Sequence, residues 1–316
     1  MENNNYSGRG LVNFYDKFNK KNLERLVNIV KNDDDLVIGI RDEYINIYYK
    51  GGNMAKISSE RNIQFDHNYL KGDEKAKGKD HKELKKQKVG ELLKSKDEDG
   101  CYDWETFIGD MKDLMNRYWK WLEDERHKSL KEKDTQHLLC IQNTESSEYT
   151  VIDVEFEVST QAGYKYQKLE KQRKGIDKDK KKPRFDIIAI RNKDHKLCVI
   201  ELKKGTKALS GKSGLGDHAD SFEGSVGGKY YKQFTKEVNN IIQSKKSLHL
   251  LSEDFKLVDT ETQPEFLFAC SYDDTDKERQ RRDFFSQQKA SECENYKVMF
   301  LEQGDYTLSD EKIYKQ

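Results

Sequence analysis

Two short apolar runs in this chain carry charges that a strand interior ordinarily excludes. In "RFDIIAIRNKDHKLCVIELKKG" (184–205), Asp186 lies in the first run, Glu201 in the second, and Lys203 follows two residues later. A buried charge is costly unless it is paired or binds a metal. Side chains alternate across a strand, so Glu201 and Lys203 point one way and Leu202 the other. If the runs are neighbouring strands joined through "NKDH", simple hairpin register sets Glu201 opposite Asp186 or Ile187. Two carboxylates and an ammonium then converge at one end of a sheet. Hard cations such as Mg²⁺ (or Mn²⁺) take oxygen ligands from one or two carboxylates and keep waters for the substrate. Such an ion lowers the pKa of a bound water and polarises a phosphoryl oxygen. The ammonium of Lys203 can orient that water or stabilise charge in the transition state. The backbone carbonyl of Leu202 is a further candidate oxygen ligand.

These residues need elements to aim them. Apolar spacing predicts a helix over 22–31, where Leu23, Leu26, Val27 and Val30 share a face. Three antiparallel strands are expected near 35–40, 44–49 and 53–58, cut by "RDE" and "KGGN". Residues 71–100 form a charged tract that suits a solvated helix or loop. A long helical pattern covers 102–140, broken at most once. Its stripe of Phe107, Met111, Leu114, Met115, Tyr118, Trp119 and Leu122 should pack on a sheet. "YTVIDVEFEVS" (149–159) alternates as a strand, with Asp153, Glu155 and Glu157 on its acidic face. After the two strands at 184–191 and 196–204 come a glycine-rich loop (205–228), a helix near 229–244, a strand at 265–272, a helix near 276–292 and a last strand in "YKVMFLEQG". Strands and helices interleaved in this way predict an α/β domain around a mixed central sheet.

An aspartate, then fourteen residues, then Glu-x-Lys on two consecutive strands resembles the PD-(D/E)XK nuclease superfamily. The resemblance rests on Asp186 in "RFDIIAI" and on Glu201 and Lys203 in "VIELKKG". Residues 104–272, about half the chain, follow the order helix, three strands, helix, strand. The resemblance therefore implies a restriction-endonuclease-like αβββαβ core with a mixed central sheet within 101–316. Residues 1–100 would form an N-terminal α/β extension. It implies that Asp186 and Glu201 bind the metal, with the Leu202 carbonyl, and that Lys203 serves the nucleophilic water. Phe185 stands where the family's proline would be, with Pro183 nearby. Some members use a further acid; Glu155 and Glu132 are the candidates here. The implied activity is metal-dependent hydrolysis of phosphodiester bonds, of DNA on superfamily frequency, in anti-phage defence or DNA processing. The competing expectations are an idle nuclease fold that binds nucleic acid or a protein, and an interaction protein that uses the N-terminal strands. A homo-oligomer or a protein activator is compatible with the first.

Phosphate contacts are expected from flexible basic segments. Residues 164–184 hold ten basic residues against three acids, among them Lys174, Lys180, Lys181, Lys182 and Arg184. In "SGKSGLGDHADSFEG" (210–224), His218 can meet a scissile phosphate or assist proton transfer, or serve only structure. Five residues separate Gly205 from Gly211 where a Walker loop needs four, so that motif is rejected. Lys229 and Lys232, beside Tyr230, mix base and aromatic as nucleic-acid sites do. Arg279, Arg281 and Arg282 offer a second basic face.

Composition sets the outer bounds. The chain has 316 residues, 58 basic against 58 acidic, 34% hydrophobic and 11% aromatic. Mean hydropathy is -1.03, so a modest core with charged helices and loops around it is expected. Zero net charge excludes a partner read from global charge alone. Five cysteines without a C-x-x-C spacing suggest neither a disulfide framework nor zinc. No run approaches ~18 apolar residues and the opening lacks an apolar stretch, so a reducing, cytoplasmic setting with no membrane partner is expected.

Overall fold

The structure is a computed structural model that describes residues 9–73, 76, 78, 80–126, 131–158, 184–205, 215–228, 230–271 and 296–314. The chain is mixed α/β and divides into two compact units. One comprises Gly10–His137 with Ser244–Ser252; the other comprises Leu138–Gln243 and the chain from Glu253, with Arg9. Among the described residues, no helix is long and apolar enough to cross a membrane.

The first unit contains α1 (Lys20–Lys31), β1 (Leu36–Ile40), β2 (Ile45–Tyr49), β3 (Gly52–Ser59), β4 (Asn62–Gln64), α2 (His81–Lys94) and α3 (Trp104–Arg126). Asn19 caps α1 by accepting the Asn22 N–H, and Leu23, Leu26, Val27 and Val30 are buried as their spacing predicts. The strands form an antiparallel meander, β1-β2-β3-β4. Between Tyr49 and Gly52, Lys50 and Gly51 take φ of 44° and 72°. Two left-handed residues in a two-residue loop match the right-handed twist of the strands they join. β4 is a fourth, three-residue strand beyond the three expected. The helical pattern over 102–140 is two helices, α3 and α4 (Lys131–Gln142).

The stripe on α3 packs on this meander. Trp119 stacks on Tyr49 with centroids 5.4 Å apart. A Cβ on Gly52 would come within 2.7 Å of the Met115 methyl and 3.0 Å of the Trp119 ring, so the small residue here lets α3 lie close to β3. The long helix expected to open the nuclease core therefore belongs to the first unit. Buried Asn22 fastens the start of α3: its Oδ1 accepts from Trp104 Nε1 at 2.7 Å and Tyr102 N at 3.1 Å, and its Nδ2 donates to Glu60.

The second unit carries β5 (Tyr149–Glu157), β6 (Arg184–Arg191), β7 (Lys196–Lys204), α5 (Leu215–Glu223), α6 (Tyr231–Ser247), β8 (Glu265–Ser271) and β9 (Lys297–Leu301). Its five strands lie in sequence order; β5, β6 and β7 are antiparallel, and β7, β8 and β9 parallel. β7 is the central strand, buried without a break from Leu197 to Lys203, which explains its unalternated apolar run. Phe234 of α6 meets Phe156 of β5 edge-on at 5.2 Å, and Phe222 of α5 stacks on Phe266 of β8 at 4.7 Å. The sequence reading placed no helix at α5; Leu215, Ala219 and Phe222 carry its buried stripe. The helix expected near 276–292 and the arginines within it lie outside the described residues.

One end of this sheet is tied by Arg191, whose side chain is 6% exposed. It donates to Asp194 at 2.7 and 2.9 Å and to Glu265 at 2.8 and 2.9 Å. Hydrogen bonding to Arg191 holds the Asp194 carboxyl below its usual range. A depressed folded pKa contributes stability that is present above about pH 4 and is lost as pH falls through the folded value. Replacing Arg191 by Met should lower unfolding stability at pH 7 by about 2–3 kcal/mol and flatten the loss of stability below about pH 4. Urea denaturation of both proteins across that pH range checks this.

Candidate metal and catalytic site

The opposite end of β6 and β7 brings the acids together. The ladder between these strands ends at Ile187 opposite Ile200, so the next positions outward are Asp186 and Glu201. On the other side of β6, Val154 faces Ile187 and Phe156 faces Phe185, which leaves Glu155 level with Asp186. Three acids from three adjacent strands thus share one row. Glu155 sits at φ 51°, a left-handed conformation that a side chain with a Cβ rarely adopts. Backbone strain of this kind collects at functional sites.

Asp186 continues the sheet by other means. Its Oδ2 accepts the Leu202 N–H at 2.9 Å, where a ladder would have supplied a backbone carbonyl. Burial raises the Asp186 pKa well above the ordinary carboxylate value. The charges of Glu201 and Glu155 add to that rise, and the Leu202 N–H and Lys203 oppose it. In an extended strand the N–H and C=O of one residue point to the same side, so the Leu202 carbonyl is directed toward β6 as its N–H is.

Glu201 is 3% exposed. Its Oε1 accepts from Lys203 Nζ at 3.2 Å and lies 2.8 Å from His218 Nδ1. Its Oε2 is buried with no hydrogen-bond partner. A buried carboxylate oxygen left alone is costly, and a hard cation is the partner its chemistry suits. The donor set of Asp186, Glu201 and the Leu202 carbonyl is all oxygen, which fits Mg²⁺ or Mn²⁺ and not a thiophilic metal. Among the described residues, no group of three or more His, Cys, Asp and Glu is arranged to hold a metal, so the set rests on the two carboxylates and that carbonyl.

The other candidates fall in different places. Glu155 is ion-paired through Oε2 to Arg184 at 2.9 Å. Lys232 is exposed on α6 and paired with Glu261. Glu132 is exposed on α4 in the first unit. Lys174, Lys180, Lys181, Lys182 and Lys229 lie outside the described residues. His218 is joined to Glu201 through Nδ1, a role the sequence reading did not assign to it.

Arg9 was not foreseen at all. It donates to Asp153 at 3.2 Å and to the Glu157 carbonyl at 2.6 Å, with its guanidinium 3.9 Å over the Phe156 ring. It clamps β5 on both sides of Glu155. A lone arginine in a polar lead-in carries no local signal of such a role; only the acid of Asp153 inside an apolar strand hints that a cation must come from elsewhere.

No protein-family model, curated protein or solved structure matches this chain. The site therefore stands on its residues and geometry.

A raised folded pKa for Asp186 contributes stability that is fully present below about pH 4 and is lost as pH rises through the elevated value. Without metal at pH 7.5, the carboxylate is a liability. Asp186→Asn keeps an oxygen for the Leu202 N–H and should raise the melting temperature in chelator, while removing the stabilisation that Mn²⁺ gives the parent protein. Thermal melts with and without Mn²⁺ read both effects; a lower melting point in chelator would contradict the like-charge account.

Proposed function

We propose that this protein is a divalent-metal-dependent nuclease that hydrolyses phosphodiester bonds of DNA. The observation that carries the reading is the buried Glu201 carboxylate with its Oε2 unpartnered, on the strand beside Asp186 and two residues before Lys203. This arrangement is what the resemblance to PD-(D/E)XK nucleases leads one to look for.

A divalent cation, when bound, supplies Lewis-acid polarisation of a phosphoryl oxygen and a more acidic water. Asp186 and Glu201 would hold it, with the Leu202 carbonyl. Lys203, anchored on Glu201 Oε1, places a positive charge beside the acidic row, where it can orient water and offset negative charge that grows during attack on phosphorus. Arg184 has a side chain 62% exposed and a partner, Glu155, at the edge of the row, so it suits a backbone phosphate of the substrate. The preference for DNA, and a place in anti-phage defence or DNA processing, rest on the resemblance alone.

The test is incubation of the purified protein with plasmid, linear duplex, single-stranded DNA and RNA, in Mg²⁺, Mn²⁺ or chelator. Cleavage is expected with either metal and not with chelator. Asp186→Ala, Glu201→Ala and Lys203→Ala should each lower the rate by about 10²-fold or more while remaining folded. Metal-stimulated cleavage that survives Asp186→Ala or Lys203→Ala unchanged would remove these residues from the reaction. Salt-dependent DNA binding with no cleavage of any substrate would replace the nuclease by an idle binding module.

A further inference from the structure

We infer that His218 is a positioning residue: it fixes the Glu201 carboxylate so that Oε1 is anchored and Oε2 is the oxygen presented to a divalent cation. The inference deepens the nuclease reading and depends on it only in taking Glu201 as a ligand of such a cation.

The argument begins with α5. Its buried stripe of Leu215, Ala219 and Phe222, and the stacking of Phe222 on Phe266, dock this helix on the second unit. His218 precedes Ala219 and reaches Glu201 Oε1 at 2.8 Å through Nδ1. A carboxylate oxygen only accepts, so the contact is a hydrogen bond when Nδ1 carries the imidazole proton. Lys203 reaches the same oxygen at 3.2 Å. Lys203 alone is a poor rudder, because its ammonium is a point charge on a flexible stem and follows the carboxylate as it turns. A second donor, fixed on a different element, distinguishes the two oxygens. The asymmetry of Glu201 agrees with this: Lys203 Nζ and His218 Nδ1 both lie against Oε1, and the buried Oε2 has no hydrogen-bond partner. Groups behind a metal ligand orient it, and removing one typically costs about 10–100-fold in metal affinity.

The experiment measures Mn²⁺ binding to the full chain by isothermal titration calorimetry, without nucleic acid. The parent protein is compared with Glu201→Gln, His218→Ala, His218→Leu and His218→Asn. The asparagine amide can place an N–H where Nδ1 stood; leucine fills the space without a donor. Melting curves in chelator show which variants are folded. The inference expects Mn²⁺ binding in the parent, none in Glu201→Gln, about 10–100-fold weaker binding in His218→Ala and His218→Leu, and recovery of most of that loss in His218→Asn. Parent-like affinity in folded His218→Ala or His218→Leu, with binding still lost in Glu201→Gln, overturns the positioning role and leaves the metal site standing. Binding by folded His218→Asn no better than by His218→Leu also overturns it, since donation would then not be what the histidine supplies. No binding by the parent, or equal binding by Glu201→Gln, removes the metal site itself and the positioning role with it.

Discussion

Burying the Glu201 carboxylate is the constraint around which the second unit is arranged. A carboxylate with 3% exposure on the central strand of a sheet must find donors close at hand. Its own strand supplies one, Lys203, at the spacing of two that returns a side chain to the same face. The other comes from α5, so that helix must dock where His218 can reach β7, and the Phe222–Phe266 stack helps to hold it there. The neighbouring strand is bound into the same arrangement. Asp186 accepts the Leu202 N–H, and a one-residue slip of β6 would carry Asp186 to the other face and strand that donor.

The two ends of β6 and β7 show opposite electrostatic solutions. At one end Arg191 makes four hydrogen bonds to Asp194 and Glu265, so a buried cation is matched by carboxylates on two sides. At the other end three acids share a row, one carboxylate oxygen is left alone, and a glutamate is held at a left-handed φ. The apolar residues between these ends, Ile187 to Ile190 and Leu197 to Ile200, are fully or almost fully buried and lock the strands together. Local strain and an unsatisfied oxygen persist only where the surroundings over-determine them. The Arg191 end and the apolar middle supply that rigidity, and the acidic end draws on it.

Much of the second unit was legible in its residues. The alternation of 149–157 and the two interrupted apolar runs placed β5, β6 and β7, and the turn at "NKDH" narrowed the partner of Glu201 to Asp186 or Ile187, of which the folded register selects Asp186. What could not be read were pairings between distant segments. Nothing local says that the stripe on α3 lies on Tyr49 and Gly52, because an apolar stripe specifies a partner's character and not its identity. α5 was hidden by glycine-rich surroundings, although Leu215, Ala219 and Phe222 recur at helical spacing. His218 is compatible in sequence with a phosphate contact, proton transfer or a structural role, because sequence shows a histidine near a site but not which atom it faces. Arg9 was invisible because its partners, Asp153 and Glu157, lie far along the chain.

The charge balance of the acidic row bears on what can bind there. Glu155, Asp186 and Glu201 are three carboxylates, and Arg184 and Lys203 are the cations paired with two of them. Burial is the main cause of the raised Asp186 pKa, and that excess adds to it through Glu201 and Glu155. A phosphodiester approaching such a row would meet negative charge. Under the nuclease reading, a dication on Asp186 and Glu201 reverses the sign of the local field, so metal and substrate would be favoured together rather than independently. Arg184 stands at the boundary between the two situations: its exposed guanidinium neutralises Glu155 when no anion is near and suits a phosphate when one is. The same few residues would then hold the resting site together and change partners as substrate arrives, which a row satisfied entirely within the protein could not do.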